Sequence, residues 1–290
     1  MTICEKAYGK INLCLDIVGI RPNGYHNIES VMHTVPLFDT LTLSESNTIS
    51  ISCENPKVPT DSSNIAYKAS ELFFESTGIC KGVSIHIEKR IPVAAGMAGG
   101  STNAAAVLKG LNRLYGFPLN SVKLEELGAK LGADVPFCIR GGTEGVLGIG
   151  YDFIKVTPPP KFIYVISCCN NGISTPAMYK EYDKRYSPKT VDSFQKEFTG
   201  NSKKLEEALA KGDKEAIFGS MFNCFEEIAM EQRSEIKEHK AIMMKHDAQI
   251  SMMSGSGPSV FGIFESIEKA KNAEKEILSS GSFAVALCDE

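Results

Sequence analysis

The sequence lacks any run rich in lysine and arginine, and its formal charge is 31 − 35 = −4, with a pI of about 5.8. Mild acidity argues against broad binding to nucleic acid or to an anionic membrane, because both need concentrated positive charge. Long apolar runs are missing as well, since a stretch such as 162–169 is far shorter than the ~20 residues that span a bilayer. We therefore expect no nucleic acid and no membrane as partner.

Two further absences concern targeting and metal binding. The first residues, 1–6, are not followed by a long apolar segment, so no secretory signal is apparent, and we expect a cytoplasmic protein. The nine cysteines are odd in number and scattered, and none lies in the C-x-x-C pairing of a zinc site. We predict reduced, mostly buried thiols, and the sequence identifies no metal ligands.

What is present is the composition of a compact protein, with 43% hydrophobic and 23% charged residues. At roughly 100–200 residues per domain, 290 residues make one large or two ordinary domains. The segment 157–160, Thr-Pro-Pro-Pro, cannot continue a sheet or a helix, because proline lacks the amide donor. We place a boundary there, which gives an N-terminal domain at 1–157 and a C-terminal domain at 158–290.

Hydrophobic periodicity predicts an α+β fold. Apolar residues alternate from Ile11 to Ile17, as in a strand with one buried face, and a stripe from Ile65 to Phe73 predicts a helix that ends at Gly78. The other predicted elements are strands at 40–43, 49–53, 83–88, 162–168, 249–253, 260–264 and 283–287 and helices at 101–115, 124–131 and 267–280. The first part reads as a mixed, largely antiparallel sheet, and the last fifty residues read as a split βαβ sandwich.

The segment most informative about chemistry is glycine-rich and runs from Ile91 to Ala104, between a predicted strand and a predicted helix. Glycines let backbone amides crowd around an anion, and Ser101 and Thr102 add hydroxyls where the helix dipole favours negative charge. It is not a Walker A loop, because no lysine precedes the serine and threonine. These residues fit a phosphate cradle and, about equally well, a tight turn into a helix packed in the core.

A second glycine cluster lies in the C-terminal half, at Met253–Ser259, and contains Gly255 and Gly257. Taken alone it fits an ordinary hairpin loop, because glycine and serine are common turn residues. Taken with the first segment, it suggests two backbone segments on either side of one site that binds a nucleotide and its acceptor.

Two charged residues are candidates for acid–base chemistry. Lys10 lies at the entry to the first strand, and Asp134 lies among apolar and small residues after a predicted helix. Taken singly, a solvated strand end for Lys10 and a helix-capping or turn-forming aspartate for Asp134 are the simpler readings. As a pair beside a phosphate loop, however, the acid accepts a hydroxyl proton while the cation favours its ionised form.

The turn at 21–26, Arg-Pro-Asn-Gly-Tyr-His, carries an aromatic residue and a histidine at its exit. Tyr25 has a ring that can stack on a flat base, and His26 can hydrogen-bond to the edge of a base. The alternative is a surface hairpin in which both side chains only pack or face solvent.

In order along the chain, these motifs resemble those of the 4-diphosphocytidyl-2-C-methyl-D-erythritol kinases, a family of the galactokinase, homoserine kinase, mevalonate kinase and phosphomevalonate kinase (GHMP) superfamily. The matching segments are AYGKINL at 7–13, RPNGYH at 21–26, PVAAGMAGGST at 92–102, GADVPF at 132–137 and SGSGPS at 254–259. The two glycine motifs are specific only to the superfamily, whereas the turn with Tyr25 and His26 and the GADVP segment at 132–136 narrow the resemblance to the diphosphocytidyl kinases. It extends from Lys6 to about Phe264.

The resemblance implies a fold and a reaction. The fold is the two-domain α+β GHMP kinase fold, whose N-terminal domain is similar to ribosomal protein S5 domain 2 and whose C-terminal domain is ferredoxin-like. The reaction uses ATP and Mg²⁺ to phosphorylate the 2-hydroxyl of a methylerythritol that carries a cytidine diphosphate, in non-mevalonate isoprenoid synthesis. The partner is thus a small-molecule substrate with a cytidine diphosphate moiety, and the enzyme is a monomer or a homodimer.

The resemblance also implies residue roles. Asp134 is the base and Lys10 is its charge partner, Tyr25 and His26 recognise cytosine, and Asn12 helps to hold the acceptor. The residues implied in ATP binding are Pro92, Val93, Ala94, Ala95, Gly96, Met97, Ala98, Gly99, Gly100, Ser101 and Thr102 in the loop and Asn64 near the adenine, with Gly255 and Gly257 on the substrate side.

Several residues depart from the expected pattern. Gly9 stands where alanine is usual, Ala98 where glycine is frequent, Thr102 where serine is frequent, Asn103 where aspartate is frequent and Tyr151 where an acid is expected. Two other readings therefore remain open: a GHMP kinase with another alcohol acceptor, and an inactive nucleotide-binding relative. The turn with Tyr25 and His26 argues against the first, because homoserine and mevalonate have no base to stack. The presence of Lys10 and Asp134 argues against the second.

Overall fold

The computed structural model describes residues 1–169, 172–191 and 196–289. Its strands are β1 (Thr2–Ile20), β2 (His26–Ser46), β3 (Ser50–Cys53), β4 (Gly82–Glu88), β5 (Thr143–Gly148), β6 (Asp152–Ile154), β7 (Ile163–Cys168), β8 (Phe222–Asn223), β9 (Ile250–Met253), β10 (Val260–Phe264) and β11 (Phe283–Cys288). Its helices are α1 (Ile65–Thr77), α2 (Gly99–Leu114), α3 (Ser121–Leu131), α4 (Val135–Arg140), α5 (Thr175–Tyr186), α6 (Gly200–Lys211), α7 (Lys214–Ser220), α8 (Glu226–Gln232), α9 (Ser234–Lys245) and α10 (Ile267–Ser279). The α+β class predicted from the sequence is confirmed.

The chain forms two compact units, each built from several segments. The first unit comprises Met1–Lys10, Leu37–Val93 and Ala98–Gly141, and the second comprises Ile11–Pro36, Ala94–Met97 and Gly142–Glu290. The long strands β1 and β2 each contribute residues to both units. The domain boundary at 157/158 stays a prediction.

The first unit combines a small sheet with four helices. Within it β4 pairs antiparallel with Thr40–Ser46 of β2 and parallel with β3. Helix α1 packs on α2, and α4 packs on both α2 and α3. The run of small residues in α2, which includes the buried Ala104, Ala105 and Ala106, allows this close packing.

Helix α1 shows how local sequence sets an element of this unit. Asn64 caps its N-terminus by accepting a hydrogen bond from the backbone N–H of Ala66 at 2.9 Å. Its apolar stripe buries Ala69 and Phe73, and Gly78 ends it in the left-handed conformation, at φ 68°. The predicted bounds of this helix are confirmed.

The second unit contains a four-stranded sheet in the order β11-β7-β10-β9, in which neighbouring strands are antiparallel. Helices α5 to α9 connect β7 to β9, and α10 connects β10 to β11, so the elements follow the split βαβ pattern predicted for this part of the chain. Buried residues from the sheet and the helices form one core, including Val165, Phe225, Met243, Val260 and Ile277.

The glycine-rich hairpin of β5 and β6 and the short helix α4 carry too few periodic residues to be recognised, and α2 begins at Gly99 rather than at position 101. All nine cysteines are free and five are buried, which confirms the reduced and mostly buried thiols. In the described parts of the chain, no helix is both long and apolar enough to cross a membrane.

Candidate active site

Lys10 and Asp134 meet in the first unit, at 3.8 Å between Nζ and a carboxylate oxygen. The lysine side chain is only 6% exposed, whereas that of the aspartate is 32% exposed. A charge held this far from water has a stronger field than one at the surface, because the local dielectric constant is lower. The pair thus presents a carboxylate to solvent with a buried cation behind it.

Local structure explains the position of Asp134. It stands at the N-cap of α4, whose first turn contains Pro136, but its side chain makes no capping hydrogen bond. The simpler reading of this residue as a helix-capping aspartate is therefore wrong. Its carboxylate pairs with Lys10 instead.

Thr102 and Cys138 lie close to this pair. The Thr102 hydroxyl donates to the backbone carbonyl of Tyr8 at 2.6 Å, which ties α2 to β1 two residues before Lys10. Burial raises the pKa of the Cys138 thiol to about 12, with the negative charge of Asp134 adding to the effect and Lys10 opposing it. Cys138 is therefore a neutral thiol at physiological pH and has no nucleophilic role here.

The N-terminus of α2 has small residues and no side-chain cap. Its N-cap, Ala98, has φ 56° in the left-handed region, and the first helical residues are Gly99, Gly100 and Ser101. The first N–H groups of a helix have no partner within the helix, so an uncapped N-terminus offers donors to an anion. The left-handed φ also explains why glycine is frequent at this position in the family pattern, because alanine is strained in that conformation.

Behind this N-terminus lies a buried cluster that the sequence interpretation missed. Asp39 is fully buried, and its carboxylate is hydrogen-bonded to the ammonium of Lys89 and to the side-chain amide of Asn103. The same carboxylate accepts the backbone N–H groups of Arg90 and Ile91. The neutral side chain of Asn103 thus acts as a hydrogen-bond donor inside the first unit.

The two glycine segments are in direct contact in the second unit. A Cβ added at Gly96 would lie 2.5 Å from the carbonyl oxygen of Ser254, and one added at Gly255 would lie 2.8 Å from the carbonyl oxygen of Gly96. The backbone N–H of Ser259 also donates to Ala95. Both glycines are needed because two backbones touch at this point, so the glycines at 96 and 255 have a packing role whatever they bind.

Asn223 holds the second glycine segment and was not recognised in the sequence. Its side-chain amide donates to the carbonyls of Met253 and Gly255, at 2.7 and 2.9 Å. Gly257, whose φ of 78° suits glycine, precedes Pro258 in the same loop. A lone asparagine in a two-residue strand carries no sequence signal for this role.

Tyr25 and His26 lie in the second unit, at the turn between β1 and β2. Tyr25 is 62% exposed, so its ring faces solvent. The His26 ring forms a hydrogen bond between its Nε2 and Asp183 Oδ1, at 2.7 Å, and its centroid lies 4.6 Å from that of the Tyr179 ring. Two residues of α5 therefore join the predicted pair, and neither was recognised from the sequence.

The two predicted asparagines already have partners within the chain. Asn12 is 1% exposed, and its amide donates to the Ser30 hydroxyl at 2.7 Å. Asn64 donates to the carbonyl of Pro59 while it caps α1. Both side chains are thus fixed in place, and their predicted contacts with acceptor and adenine stay predictions.

Comparison with known proteins finds matches over most of the chain. The model of the GHMP kinase N-terminal domain matches residues 64–142, and that of the GHMP kinase C-terminal domain matches residues 205–282. A 4-diphosphocytidyl-2-C-methyl-D-erythritol kinase of Alkaliphilus metalliredigens is 41% identical over 94% of this chain and 91% of that protein. The enzyme of the same name from Clostridium tetani is 38% identical over 94% and 95%.

Solved structures agree with these matches. A crystal structure of a 4-(cytidine 5'-diphospho)-2C-methyl-D-erythritol kinase aligns with a TM-score of 0.79 and 29% identity, over 99% of this chain and 100% of that one. A homoserine kinase from Cytophaga hutchinsonii aligns with a TM-score of 0.74 at 18% identity, over 100% and 94% of the two chains, which shows a shared fold.

Proposed function

The chain belongs to the 4-diphosphocytidyl-2-C-methyl-D-erythritol kinase family of GHMP kinases, and on that premise we propose how its residues bind and phosphorylate their substrate. It is an ATP-dependent phosphotransferase with an alcohol group as acceptor, and it acts in isoprenoid synthesis by the methylerythritol phosphate pathway. The acceptor is a small molecule, and the proposed acceptor is 4-diphosphocytidyl-2-C-methyl-D-erythritol, phosphorylated at its 2-hydroxyl.

The ion pair of Lys10 and Asp134 is the observation that carries the proposed chemistry. The Asp134 carboxylate accepts the hydroxyl proton while the hydroxyl oxygen bonds to the γ-phosphorus of ATP and the bond from that phosphorus to the bridging oxygen breaks. The Lys10 ammonium lies beside this carboxylate and stabilises negative charge on the reacting oxygens. Phosphoryl transfer asks little covalent chemistry of a protein, so positioning and charge suffice.

The proposed site for the ATP phosphates is the uncapped N-terminus of α2. The N–H groups of Gly99, Gly100 and Ser101 are suited to phosphate oxygens, because the helix dipole places partial positive charge there. The loop from Pro92 to Ala98 leads into this N-terminus and is proposed to cover the phosphates. Asn64, at the start of α1 in the same unit, is proposed to lie near the adenine.

Mg²⁺ is proposed to accompany ATP and to neutralise the charge of its phosphates. Within the described residues, no group of three or more acidic, histidine or cysteine side chains is arranged to hold a metal ion. Nucleotide kinases bind Mg²⁺ through one or two carboxylates, with phosphates and water as the other ligands, and the Asp134 carboxylate is 32% exposed and can supply one oxygen. Asp134 is the carboxylate that the chain would offer.

Cytidine recognition is proposed for Tyr25 and His26. An exposed tyrosine ring has a free face for a base, and stacking on an aromatic residue is worth about 1–3 kcal/mol per base in single-strand binding proteins. His26, held by Asp183, is proposed to contact the edge of cytosine. Asn12, Gly255 and Gly257 are proposed to position the acceptor.

The test is coupled ADP release from ATP and Mg²⁺ with a panel of acceptors: 4-diphosphocytidyl-2-C-methyl-D-erythritol, homoserine, mevalonate and a reaction without acceptor. We expect stimulation by the diphosphocytidyl compound alone, with a phosphomonoester at its 2-position in the product. Stimulation by homoserine or mevalonate instead would assign another acceptor. No stimulation by any alcohol would favour the inactive nucleotide-binding relative.

A further inference from the structure

Asp39 occupies an unusual place for an acid, because it lies at an inward position of β2. Leu37, Asp39, Leu41 and Leu43 alternate along the strand and are all buried, and Asp39 has no exposed surface. Burying a carboxylate is costly unless it is hydrogen-bonded and paired. The proposed chemistry makes no use of this group, so its place in the core needs another explanation.

The carboxylate is fully satisfied by four donors. Oδ1 accepts the backbone N–H groups of Arg90 and Ile91, both at 2.8 Å. Oδ2 accepts the Asn103 amide at 2.8 Å and the Lys89 ammonium. The side chain of Lys89 is 4% exposed, so this ion pair is shielded from water.

These donors come from the two chain segments on either side of the proposed phosphate loop. Lys89–Ile91 immediately precedes Pro92, where the loop begins, and Asn103 lies in the second turn of α2, where the loop has ended. Lys89 also reaches the carbonyl of Gly99 at 3.4 Å. One buried carboxylate therefore links the entry of the loop to the start of the helix.

We propose that Asp39 is a positioning residue for the ATP phosphates, which acts by holding Lys89–Ile91 and Asn103 so that the amides at the N-terminus of α2 keep a fixed direction. The inference rests on the proposed function in one respect, namely that the phosphates bind at this N-terminus. Hydrogen bonds to phosphate depend on the direction of the N–H groups, so a loosened helix start weakens them.

Asp39→Asn tests the inference. An amide at position 39 keeps one oxygen that accepts the two backbone N–H groups. Its NH₂ group, however, is a donor that faces two other donors, the NH₂ of Asn103 and the ammonium of Lys89. We expect the KM for ATP to rise about tenfold, the scale on which outer-shell partners act at metal sites. The KM for the acceptor should stay within a factor of two, and binding of ADP, measured by calorimetry without acceptor, should weaken in parallel.

Exchanging the two groups provides a rescue. In Asp39→Asn combined with Asn103→Asp, the amide and the carboxylate trade places, so the amide at 39 donates to the new carboxylate. Lys89 keeps an anionic partner, because its Nζ already lies 3.5 Å from the side-chain oxygen of Asn103. We expect the double variant to recover most of the ADP affinity, and Asn103→Asp alone to lose affinity, because two carboxylates would then face each other.

Glu29→Gln is the matched control. Glu29 is 3% exposed and accepts the backbone N–H and the hydroxyl of Thr199, so it is a buried carboxylate of similar type in the second unit. We expect it to lower the Tm without changing the KM for ATP. A loss of ATP affinity in this control equal to that of Asp39→Asn would mean that general destabilisation explains both, and would overturn the inference.

The remaining outcomes separate the inference from the proposed function. Unchanged ADP affinity in Asp39→Asn, or no recovery in a folded double variant, overturns the positioning role. If Asp39→Asn does not fold, the double variant alone decides, by its ADP affinity relative to the original chain. The original protein could also fail to phosphorylate the diphosphocytidyl acceptor while Asp39→Asn still weakens ADP binding. That result would support the positioning role and would contradict only the proposed substrate.

Discussion

The residues proposed for chemistry have interaction partners within the protein, whereas the tyrosine ring proposed for base recognition is exposed to solvent. In the first unit Lys10 is 6% exposed and paired with Asp134, and Asp39 is buried among four donors. In the second unit Tyr25 is 62% exposed, with its ring in solvent. The charged groups already have partners within the chain, whereas in the proposed function the aromatic ring takes its partner from the ligand.

This difference follows from the physics of the two tasks. A charge acts most strongly where water is excluded and its position is fixed, so the buried Lys10 ammonium acts strongly on the 32% exposed Asp134 carboxylate beside it. A ring that stacks on a base needs a free face, so a ring buried within the protein could not stack on the proposed base. Substitutions in the two regions should therefore affect different kinetic constants.

The largest effect is expected for Asp134→Asn. Removing the base should lower kcat by about 10²–10⁴, the usual worth of general acid–base catalysis, while both KM values change little. The measurement is steady-state ADP release at saturating substrates.

Glu126→Gln is the control for this variant, because Glu126 is an exposed carboxylate of α3 that pairs with Lys123. It should leave kcat unchanged. A near-normal kcat in Asp134→Asn would remove this residue from the role of base and would place the reacting groups elsewhere.

The next effect in size is expected for Tyr25→Ala. Loss of stacking worth about 1–3 kcal/mol should raise the KM for the acceptor by roughly 5- to 150-fold and leave the KM for ATP nearly unchanged. CDP should raise the Tm of the original protein, UDP should raise it less, and the variant should lose most of the CDP effect. Equal shifts with CDP and UDP would contradict recognition of cytosine.

Phe117→Ala gives a matched control for the tyrosine variant. Phe117 is 67% exposed and lies in the first unit, so its removal also deletes a solvent-facing ring. It should leave both KM values unchanged. If it raises the acceptor KM as much as Tyr25→Ala does, the effect of the tyrosine is not specific.

The smallest effect is expected at Asp16, a partly buried acid of β1. Burial raises its pKa to about 6, with the charge of Glu29 as a lesser cause. The folded protein therefore binds a proton that the unfolded chain releases near pH 4, so stability falls as pH rises from about 4 to 6. Asp16→Asn should raise the Tm at pH 8 and change it little at pH 4, as measured by thermal melts. A gain that is equal at the two pH values would contradict this account.

Much of the fold follows from periodicity and caps. Helix α1 is predicted from Ile65 to Gly78 because its apolar stripe and its stop residue agree, and the β-β-α-β order at the C-terminus follows from clear alternation. Helix α4 is missed because its six residues are too short to show a period. The hairpin of β5 and β6 is missed because its glycines weaken any strand signal.

The site is predicted less completely. Lys10 and Asp134 are distant in sequence, so only the family resemblance relates them, and no spacing could show that they meet at 3.8 Å. Asp39 was missed although it carries a signal, an acid at an inward position between Leu37 and Leu41. Asn223 and Asp183 carry no such signal, because each becomes informative only when its three-dimensional neighbours are known.

The free thiols of this chain amount to a built-in set of chemical probes. Cys4, Cys80 and Cys288 are exposed and should react with a maleimide in the native protein, whereas buried thiols with raised pKa react only after the surrounding structure opens. Cys138 belongs to the first unit and Cys14 to the second. The labelling rates of these two sulfurs therefore report, separately, how often the core around the proposed catalytic pair and the core of the other unit open in solution.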